Sequence, residues 1–443
     1  MTNHTYDIVV AGAWHQGYVG AACFAEAGFK VAVIDEQRAH REGQLFDPPV
    51  YEPGLKELLN QQIQIGNLTI VSDAGDAIRN ASVIALMWDT KVGEDDSADI
   101  SGTVSFFETE VLPVVRGGQE ILVTSQVPVG TCDQLVGRLV EQDASDVNVC
   151  YVPENLRLGS AIERFRRQEL SVAGTSGDRP GALLTNILNA FADDWEYTDL
   201  VTAEMVKHSM NAYLALTICF GNEIGNLCSV LGAKGREIPR FLKKDRRVSK
   251  SAMLNPGTGY AGGTLGRDVQ ALVAFLDGFG LSSPVIRAIP LSNQQQNTLV
   301  QRHFQRLLSS GEDEGVRVGI LGLTYKRDTS TLRRSSAVEL ARCLYDMGYQ
   351  FVTNDPLADR NEIQENGWLS FREDLDDVLE WATVLVIMTD HEQYLNLQLA
   401  NARSLDTVID VASVIGPSVE VPSGVSVLRF GETFPRGNGY DHG

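Results

Sequence analysis

Short apolar runs, bounded by glycine or polar residues, recur along the first 160 residues and again beyond residue 315. Runs of about four to eight apolar residues between turn residues are typical of buried strands, and the segments between them are compatible with helices. This alternation predicts an α/β fold with parallel, doubly wound sheets. The predicted strands are 6–11, 30–34, 68–71, 81–87, 120–124, 148–152, 316–321, 349–354 and 383–388.

A different pattern occupies residues 202–231, which contain few helix breakers and repeat apolar residues at helical spacing. The spacing predicts a single helix of roughly 45 Å, at a rise of about 1.5 Å per residue. A helix of this length often joins two domains and forms a dimer face, so we expect a homodimer. The apolar residues in the pattern are Met205, Tyr213, Leu216, Phe220, Ile224, Leu227 and Leu231.

A hydrophilic stretch, 309–315, precedes the last group of predicted strands and indicates a domain boundary. The expected organisation has a Rossmann-like domain at 1–199, a central helical domain at 200–308 and a second Rossmann-like domain at 309–434. A polar, glycine-rich tail at 435–443 completes the chain.

Charge and cysteine usage restrict the partners and the compartment. The formal net charge is −21, which argues against nucleic acid and anionic membrane surfaces as partners. The six cysteines are scattered without metal-ligand spacing, which favours buried thiols in a reducing compartment, and we expect no metal. Neither a signal peptide nor an apolar run of about 20 residues is evident, so the expected location is the cytoplasm.

The first predicted strand leads into a turn typical of dinucleotide-binding proteins. Gly12 and Gly17 bracket the turn, a helical pattern and a second strand follow, and Asp35 closes that strand. In this arrangement the helix N-terminus faces a pyrophosphate and the acid binds a ribose hydroxyl, which favours NAD over NADP. Trp14 stands where the middle glycine of the turn is expected. An alternative interpretation is therefore a degenerate Rossmann half that is kept for structure.

Other polar residues follow the carboxyl ends of the predicted parallel strands, where ligands bind in such sheets. Thr90 follows the strand 81–87, Gln126 follows 120–124, and Glu154 follows 148–152. On the long helix, Lys207 and Asn211 are four residues apart and therefore share one face. A lysine and an asparagine that converge on an alkoxide would stabilise its negative charge.

The glycine-rich stretch 251–268 resembles the catalytic loop of the UDP-glucose/GDP-mannose dehydrogenase family, Asn-Pro-Gly-x-Gly-x-Gly-Gly-x-Cys-x-Pro-Lys-Asp. The motif around Glu52 and the segment 322–335 resemble family motifs too. Leu265 occupies the position of the family's nucleophilic cysteine. The loop residues that match the family pattern are Asn255, Pro256, Gly257, Gly259, Gly262, Gly263 and Asp268.

The resemblance implies two Rossmann-like domains joined by a central helical domain, NAD as cofactor, and a nucleotide sugar as substrate, with a UDP-sugar favoured. Its biological setting would be polysaccharide or glycoconjugate biosynthesis. The implied catalytic residues are Lys207, Asn211, Asp268 and Glu154. The implied cofactor-binding residues are Gly12, Trp14, Gly17, Asp35, Thr90 and Gln126. The implied substrate-binding residues are Asn255, Gly257, Gly259, Gly262, Lys326 and Arg333.

Family members oxidise a primary alcohol twice, and the cysteine forms a thiohemiacetal for the second hydride transfer. Here Leu265 replaces that cysteine, and Leu158 replaces a second family glutamate. We therefore expect a single hydride transfer or a redox-neutral change on the sugar. Two alternatives remain open: a catalytically silent nucleotide-sugar-binding or regulatory protein, and an ordinary double oxidation that uses another nucleophile.

Overall fold

The computed structural model describes residues 5–38, 45–93, 97–261, 263–308, 315–416 and 419–432. Within the chain, two compact units comprise Met1–Met210 and Asn211–Gly443. The three-domain division drawn from the sequence stays a prediction, and the expected tail at 435–443 lies outside the described residues.

The first unit is built on one sheet with strand order β10-β9-β8-β7-β4-β1-β2-β3. Lys91–Val92 (β5) and Ala98–Asp99 (β6) form a separate antiparallel pair. The strands of the main sheet are β1 (Tyr6–Ala11), β2 (Val31–Ile34), β3 (Leu68–Val71), β4 (Ala81–Leu86), β7 (Glu120–Val123), β8 (Asn148–Tyr151), β9 (Val172–Thr175) and β10 (Glu196–Thr198).

Helices cover both faces of this sheet, which explains why its strands are apolar along their length. Along β1, Ile8 and Val10 enter one core cluster while Val9 and Ala11 enter the other, as the period of two of a strand requires. A π-helical segment, Phe107–Val111, continues α4. The helices are α1 (His15–Glu26), α2 (Leu55–Ile65), α3 (Ala74–Arg79), α4 (Ser101–Phe106), α5 (Thr131–Glu141), α6 (Ala161–Arg166) and α7 (Ala182–Asn189).

One edge of the sheet departs from the predicted parallel arrangement. Strand β9 pairs antiparallel with β8, and β10 pairs parallel with β9. The connection from β8 to β9 contains one short helix, α6, of about 9 Å, and it does not return the chain across the sheet as a βαβ crossover does. The chain therefore re-enters the sheet at the end where it left.

The second unit carries a parallel sheet of order β12-β11-β13-β14-β15. The long helix predicted from the apolar pattern is present as α8 (Leu200–Leu231) and precedes the shorter helices along the chain. The strands are β11 (Arg317–Leu321), β12 (Gln350–Asn354), β13 (Val384–Ile387), β14 (Thr407–Asp410) and β15 (Ser426–Arg429). The other helices are α9 (Ile238–Leu242), α10 (Thr264–Gly278), α11 (Pro284–Leu308), α12 (Ser336–Asp346), α13 (Arg360–Glu365) and α14 (Leu375–Trp381).

The predicted fold class is confirmed: two parallel-sheet regions and, between them along the chain, a helical region that begins with α8. Among the described residues, α8 is also long and apolar enough to span a membrane by length and composition, a test that core helices of water-soluble proteins pass as well. The same helix carries the buried polar residues Glu204, Lys207, His208 and Asn211.

Candidate active site

The turn between β1 and α1 depends on two glycines. Gly12 has φ +110°, and a Cβ there would lie 2.5 Å from the carbonyl oxygen of Met87. A Cβ on Gly17 would lie 2.0 Å from the carbonyl oxygen of Gly12. A side chain at either position would therefore push the turn away from the strand and the helix that enclose it.

Trp14, the third residue of this turn, occupies the N-cap position of α1 in an extended conformation with φ −137° and ψ −152°. Any residue adopts this conformation, so the backbone tolerates tryptophan without strain. The side chain is half exposed. Tryptophan at this position therefore restricts which ligand atoms can approach the backbone, and it leaves the fold of the turn unchanged.

Asp35 lies buried at the end of β2 and serves as an acceptor for its own loop. Its Oδ1 accepts from the backbone N–H groups of Gln37 and Arg38, both at 3.0 Å, and its Oδ2 accepts from the Tyr18 hydroxyl at 2.5 Å. Burial, reinforced by this hydrogen bond, raises the pKa of Tyr18, so the hydroxyl remains the donor. Nη1 of Arg38 also lies 3.6 Å from Oδ2, so a ribose hydroxyl that binds this oxygen would share it with Tyr18 and Arg38.

A carboxylate that the sequence did not single out lies at the N-terminus of α1. Oδ2 of Asp89, which follows β4, accepts from the backbone N–H of Gln16 at 2.9 Å. The adjacent Thr90 donates from Oγ1 to the backbone oxygen of Gln126 at 2.6 Å. The Gln126 side-chain amide is buried and makes no hydrogen bond within the described residues. Thr90 and Gln126 thus adjoin each other, as their strand positions predict.

Glu52 connects the turn to the chain that follows β8. Its Oε2 contacts Nε2 of His15 at 2.9 Å and accepts from the backbone N–H of Gly159, while Oε1 accepts from Ala161 at 2.8 Å. Burial acts to raise the pKa of Glu52, but His15 and the two N–H groups together hold it below its ordinary value. Glu52 is therefore an ionised anchor beneath the turn.

Glu154 and Lys207 meet within the first unit. The Lys207 ammonium donates to the backbone oxygen of Glu154 and, at 2.8 Å, to Oδ1 of Asn155. Burial of the Glu154 carboxyl raises its pKa, and the positive charge of Lys207 offsets this shift only in part. A carboxyl group with a raised pKa beside an ammonium group is suited to general acid–base work.

In the second unit, Asp268 is fully buried and paired on both oxygens. Its Oδ1 lies 2.9 Å from Nε of Arg267, and its Oδ2 accepts from the side-chain amide of Asn211. The structure thus brings together Asn211 and Asp268, two of the predicted catalytic residues. Because the carboxylate neutralises a buried guanidinium, its charge is committed to that pair.

The glycine-rich loop is held by amide side chains that the sequence did not reveal. Asn222 of α8 accepts from the N–H of Gly257 at 2.8 Å, and Gln296 of α11 donates to the oxygen of Gly257 at 2.6 Å. A Cβ on Gly259 would lie 2.3 Å from Oδ1 of Asn293, so this glycine is required by close packing. Asn255 is exposed, whereas the predicted substrate residue Gly262 lies outside the described residues.

Leu265 is the second residue of α10 and is partly buried against an apolar cluster that contains Cys219 of α8 and Ile289 of α11. The Cys219 thiol is buried, which raises its pKa, and it lies 3.5 Å from the Ile289 oxygen as a donor. A thiol in this state is a poor nucleophile.

The last two predicted substrate residues follow β11 in the second unit. Lys326 and Arg333 are both exposed in the loop between β11 and α12. The start of this loop is fixed by Asp355, whose Oδ2 accepts from the N–H groups of Leu323 and Thr324 at 2.7 and 2.8 Å. This places two cations at the carboxyl end of a parallel strand, where ligands bind in doubly wound sheets.

The chain resembles known proteins along most of its length. Three models of the UDP-glucose/GDP-mannose dehydrogenase family match in order: the NAD binding domain at residues 6–192, the central domain at 201–295 and the UDP binding domain at 319–417. The UDP-glucose 6-dehydrogenase of Pseudomonas aeruginosa is 30% identical over 407 residues, covering 87% of this chain and 88% of that protein. The chain belongs to this family.

Two further relatives within the family support the match. The UDP-glucose 6-dehydrogenase of Rhizobium meliloti is 29% identical over 409 residues, covering 90% of this chain and 92% of that one. A UDP-glucose dehydrogenase structure from Pyrobaculum islandicum superposes with a TM-score of 0.83 at 27% identity, covering 96% and 97% of the two chains. Family membership makes the chain an NAD-dependent oxidoreductase that acts on a CH–OH group, with a nucleotide sugar as substrate.

The turn between β1 and α1 and the acid that follows β2 fit the NAD cofactor. Gly12 and Gly17 form the tight turn, and Oδ2 of Asp35 can also accept from a ribose hydroxyl. At the N-terminus of α1, where the pyrophosphate lies in dinucleotide-binding folds, Asp89 already accepts from Gln16. The cofactor site therefore has the turn and the acid expected of a dinucleotide-binding domain, but a carboxylate lies where the pyrophosphate would bind.

Proposed function

We propose that this chain oxidises one alcohol group of a UDP-sugar to a carbonyl in a single two-electron step and does not carry out the second oxidation. The observation that carries the proposal is Leu265. It stands at the position that the family resemblance assigns to the nucleophile, and its aliphatic side chain packs against an apolar cluster.

Lys207 and Glu154 perform the chemistry in this proposal. When bound, NAD accepts the hydride from the carbon that bears the alcohol. Glu154, with its raised pKa, takes the hydroxyl proton as the base. Lys207 stabilises the negative charge that develops on the alcohol oxygen. In the second unit, Asp268 accepts a hydrogen bond from the side-chain amide of Asn211 and so positions that amide.

A second oxidation requires a thiolate or an equivalent nucleophile that adds to the carbonyl carbon. The six cysteines lie in the described residues and none is in a disulfide. Burial raises the pKa of Cys23 to about 12, and it also raises the pKa of Cys132, Cys150 and Cys219. These thiols stay protonated at neutral pH, which supports an end to the reaction at the carbonyl.

Product analysis tests this proposal directly. Purified protein is incubated with NAD and UDP-glucose, and with other UDP-sugars, in the presence of hydroxylamine to trap carbonyl groups. The expected product is an oxime of the oxidised UDP-sugar, detected by mass spectrometry, and it should be absent when NAD is omitted. A UDP-sugar acid as the main product would contradict the proposal. An altered sugar of unchanged mass would point to a redox-neutral reaction with retained NAD.

We also propose that the protein acts as a homodimer in the cytoplasm. Helix α8 exposes large apolar side chains along its length, including Tyr213, Phe220, Leu227 and Leu231. Exposed apolar surface of this kind favours association. The thiols outside disulfides suit a reducing compartment. Light scattering of the purified protein should give twice the chain mass of 48.4 kDa.

A further inference from the structure

The first turn of α1 obtains its cap from a distant part of the chain. Trp14 occupies the N-cap position, and its side chain makes no capping hydrogen bond. Oδ2 of Asp89 supplies the acceptor instead, 2.9 Å from the N–H of Gln16 and 73 residues away in sequence. A carboxylate in this place is stabilised by the partial positive charge of the helix N-terminus.

The position of this carboxylate coincides with the one that a dinucleotide needs. In dinucleotide-binding folds the pyrophosphate takes the N–H groups at the N-terminus of the helix after the first strand. Asp89 uses one of these donors and places a like charge beside the others. The N–H of Gln16 cannot serve the carboxylate and a phosphate oxygen at full strength together.

We propose that Asp89 is an internal competitor of the NAD pyrophosphate, and that NAD binds with its usual contacts only after this carboxylate has left Gln16. Asp89 thereby sets the affinity of the chain for the cofactor. The turn after β1 and Asp35 account for the choice of NAD as ligand, and Asp89 determines how tightly NAD binds.

The surroundings of Asp89 allow such a displacement. Asp89 as a whole residue is exposed, although burial of its carboxyl against neighbouring protein atoms raises its pKa. Its side chain can therefore turn outwards without opening the core. The nearby loops are fixed independently of it: the Gln16 side chain donates to the oxygen and to Oγ1 of Thr124, both at 2.9 Å, and Thr90 donates to the Gln126 oxygen. Releasing one hydrogen bond therefore leaves the turn in place.

Other groups near the N-terminus of α1 also affect the binding of an anionic ligand there. Burial raises the pKa of the Glu154 carboxyl and the charge of Asp89 adds to this shift, so a second carboxyl group lies close to Asp89. His15 acts on the pKa of both carboxyl groups in the opposite direction. Trp14 stands where the turn motif expects a glycine, and its half-exposed side chain adds bulk at this turn. The second carboxyl group and Trp14 act in the same direction as Asp89, which predicts weak binding of NAD by the unaltered chain.

The test measures NAD binding alone, by isothermal titration calorimetry of the full chain without a sugar substrate. Asp89→Asn keeps the shape and an acceptor for Gln16 but removes the charge. Because juxtaposed like charges oppose binding strongly, we expect the dissociation constant to fall by roughly tenfold or more. The matched control is Asp146→Asn, which removes the same charge from an exposed residue that precedes β8, at the amino end of that strand, whereas Asp89 follows the carboxyl end of β4; it should leave the constant unchanged.

An Asp89→Asn protein that melts at the temperature of the unaltered chain and binds NAD no more tightly would overturn the proposal. Asp89→Ser provides a second variant, with a neutral acceptor on a shorter side chain, and should tighten binding in the same direction. Equal tightening by Asp146→Asn would also contradict the proposal, because it would trace the effect to net charge. Since no turnover is measured, failure here leaves the single-oxidation proposal standing, and the reverse holds too.

Discussion

Arg267 and Asp268, neighbours in sequence, form a buried ion pair with 2.9 Å between Nε and Oδ1. Asn211 donates to the other carboxylate oxygen, so Asp268 has no oxygen without a partner. The pair fixes the first turn of α10, where Leu265 also lies. Asp268 therefore positions neighbouring groups, and among the predicted catalytic carboxylates Glu154 is better suited to act as the base.

Breaking this pair should destabilise the protein. Asp268→Asn leaves a buried guanidinium without its counter-charge, and we expect the free energy of unfolding to fall by about 3 kcal/mol. Urea unfolding followed by circular dichroism measures the change. The matched control is Glu373→Gln, which breaks the exposed pair with Arg360 and should cost about 1 kcal/mol or less. Equal losses in the two variants would show that the Arg267–Asp268 pair is not effectively buried.

Lys207 should be required for turnover and dispensable for folding. Lys207→Ala removes the positive charge that stabilises the developing oxyanion, and we expect kcat to fall by about a hundredfold or more. Lys56→Ala removes an exposed lysine of the same unit and should leave kcat unchanged. Unaltered turnover by Lys207→Ala, with the melting temperature retained, would rule out the proposed mechanism.

Glu52 should make stability depend on acid pH. Its folded-state pKa lies below the ordinary 4.5, so its stabilising contribution is present above about pH 4.5 and is lost as the pH falls through the lowered value. We expect Glu52→Gln to melt below the unaltered protein at pH 7, and the two melting curves to converge as the pH falls towards 3. A constant difference in melting temperature across this range would mean that ionisation of Glu52 contributes nothing.

Restoring the cysteine should extend the chemistry. In Leu265→Cys a thiolate can add to the carbon of an aldehyde product to give a thiohemiacetal, and loss of the remaining hydride to a second molecule of NAD leaves a thioester on the protein. We expect the intact mass to increase by that of the sugar nucleotide acyl group. The double variant Leu265→Cys, Leu158→Glu should release the acid, because the carboxylate supports hydrolysis.

The control for this experiment is Leu265→Ala, which shortens the side chain without supplying a thiol. It should form no adduct under the same conditions. A protein-bound adduct in this variant, or in the unaltered chain, would identify another nucleophile and contradict the role assigned to Leu265.

The regular features of the fold could be read from local patterns. The apolar runs predicted strands such as β3 and β12 to within a residue, and the helical spacing predicted α8, because a buried element fixes its own periodicity. The antiparallel β9 was missed because strand direction depends on the path of the connection from β8, which no local pattern records.

Local motifs in the sequence predict some of the candidate site residues, whereas residues that meet from distant parts of the chain carry no such signal. Gly12, Gly17 and Asp35 follow a spacing that reflects one turn and one strand. Asp89, by contrast, meets Gln16 across 73 residues, and Gln296 meets Gly257 across 39. Each looks like an ordinary polar residue in sequence, and only the fold gives it a partner.

The most direct test of the central claim is the amount of reduced nicotinamide formed for each UDP-sugar consumed. Purified protein, NAD and a UDP-sugar that it turns over are followed to completion by absorbance, and the remaining sugar nucleotide is counted by chromatography. The single-oxidation account predicts one equivalent of reduced cofactor per sugar. Two equivalents would show that the second oxidation takes place despite Leu265, and would contradict the account.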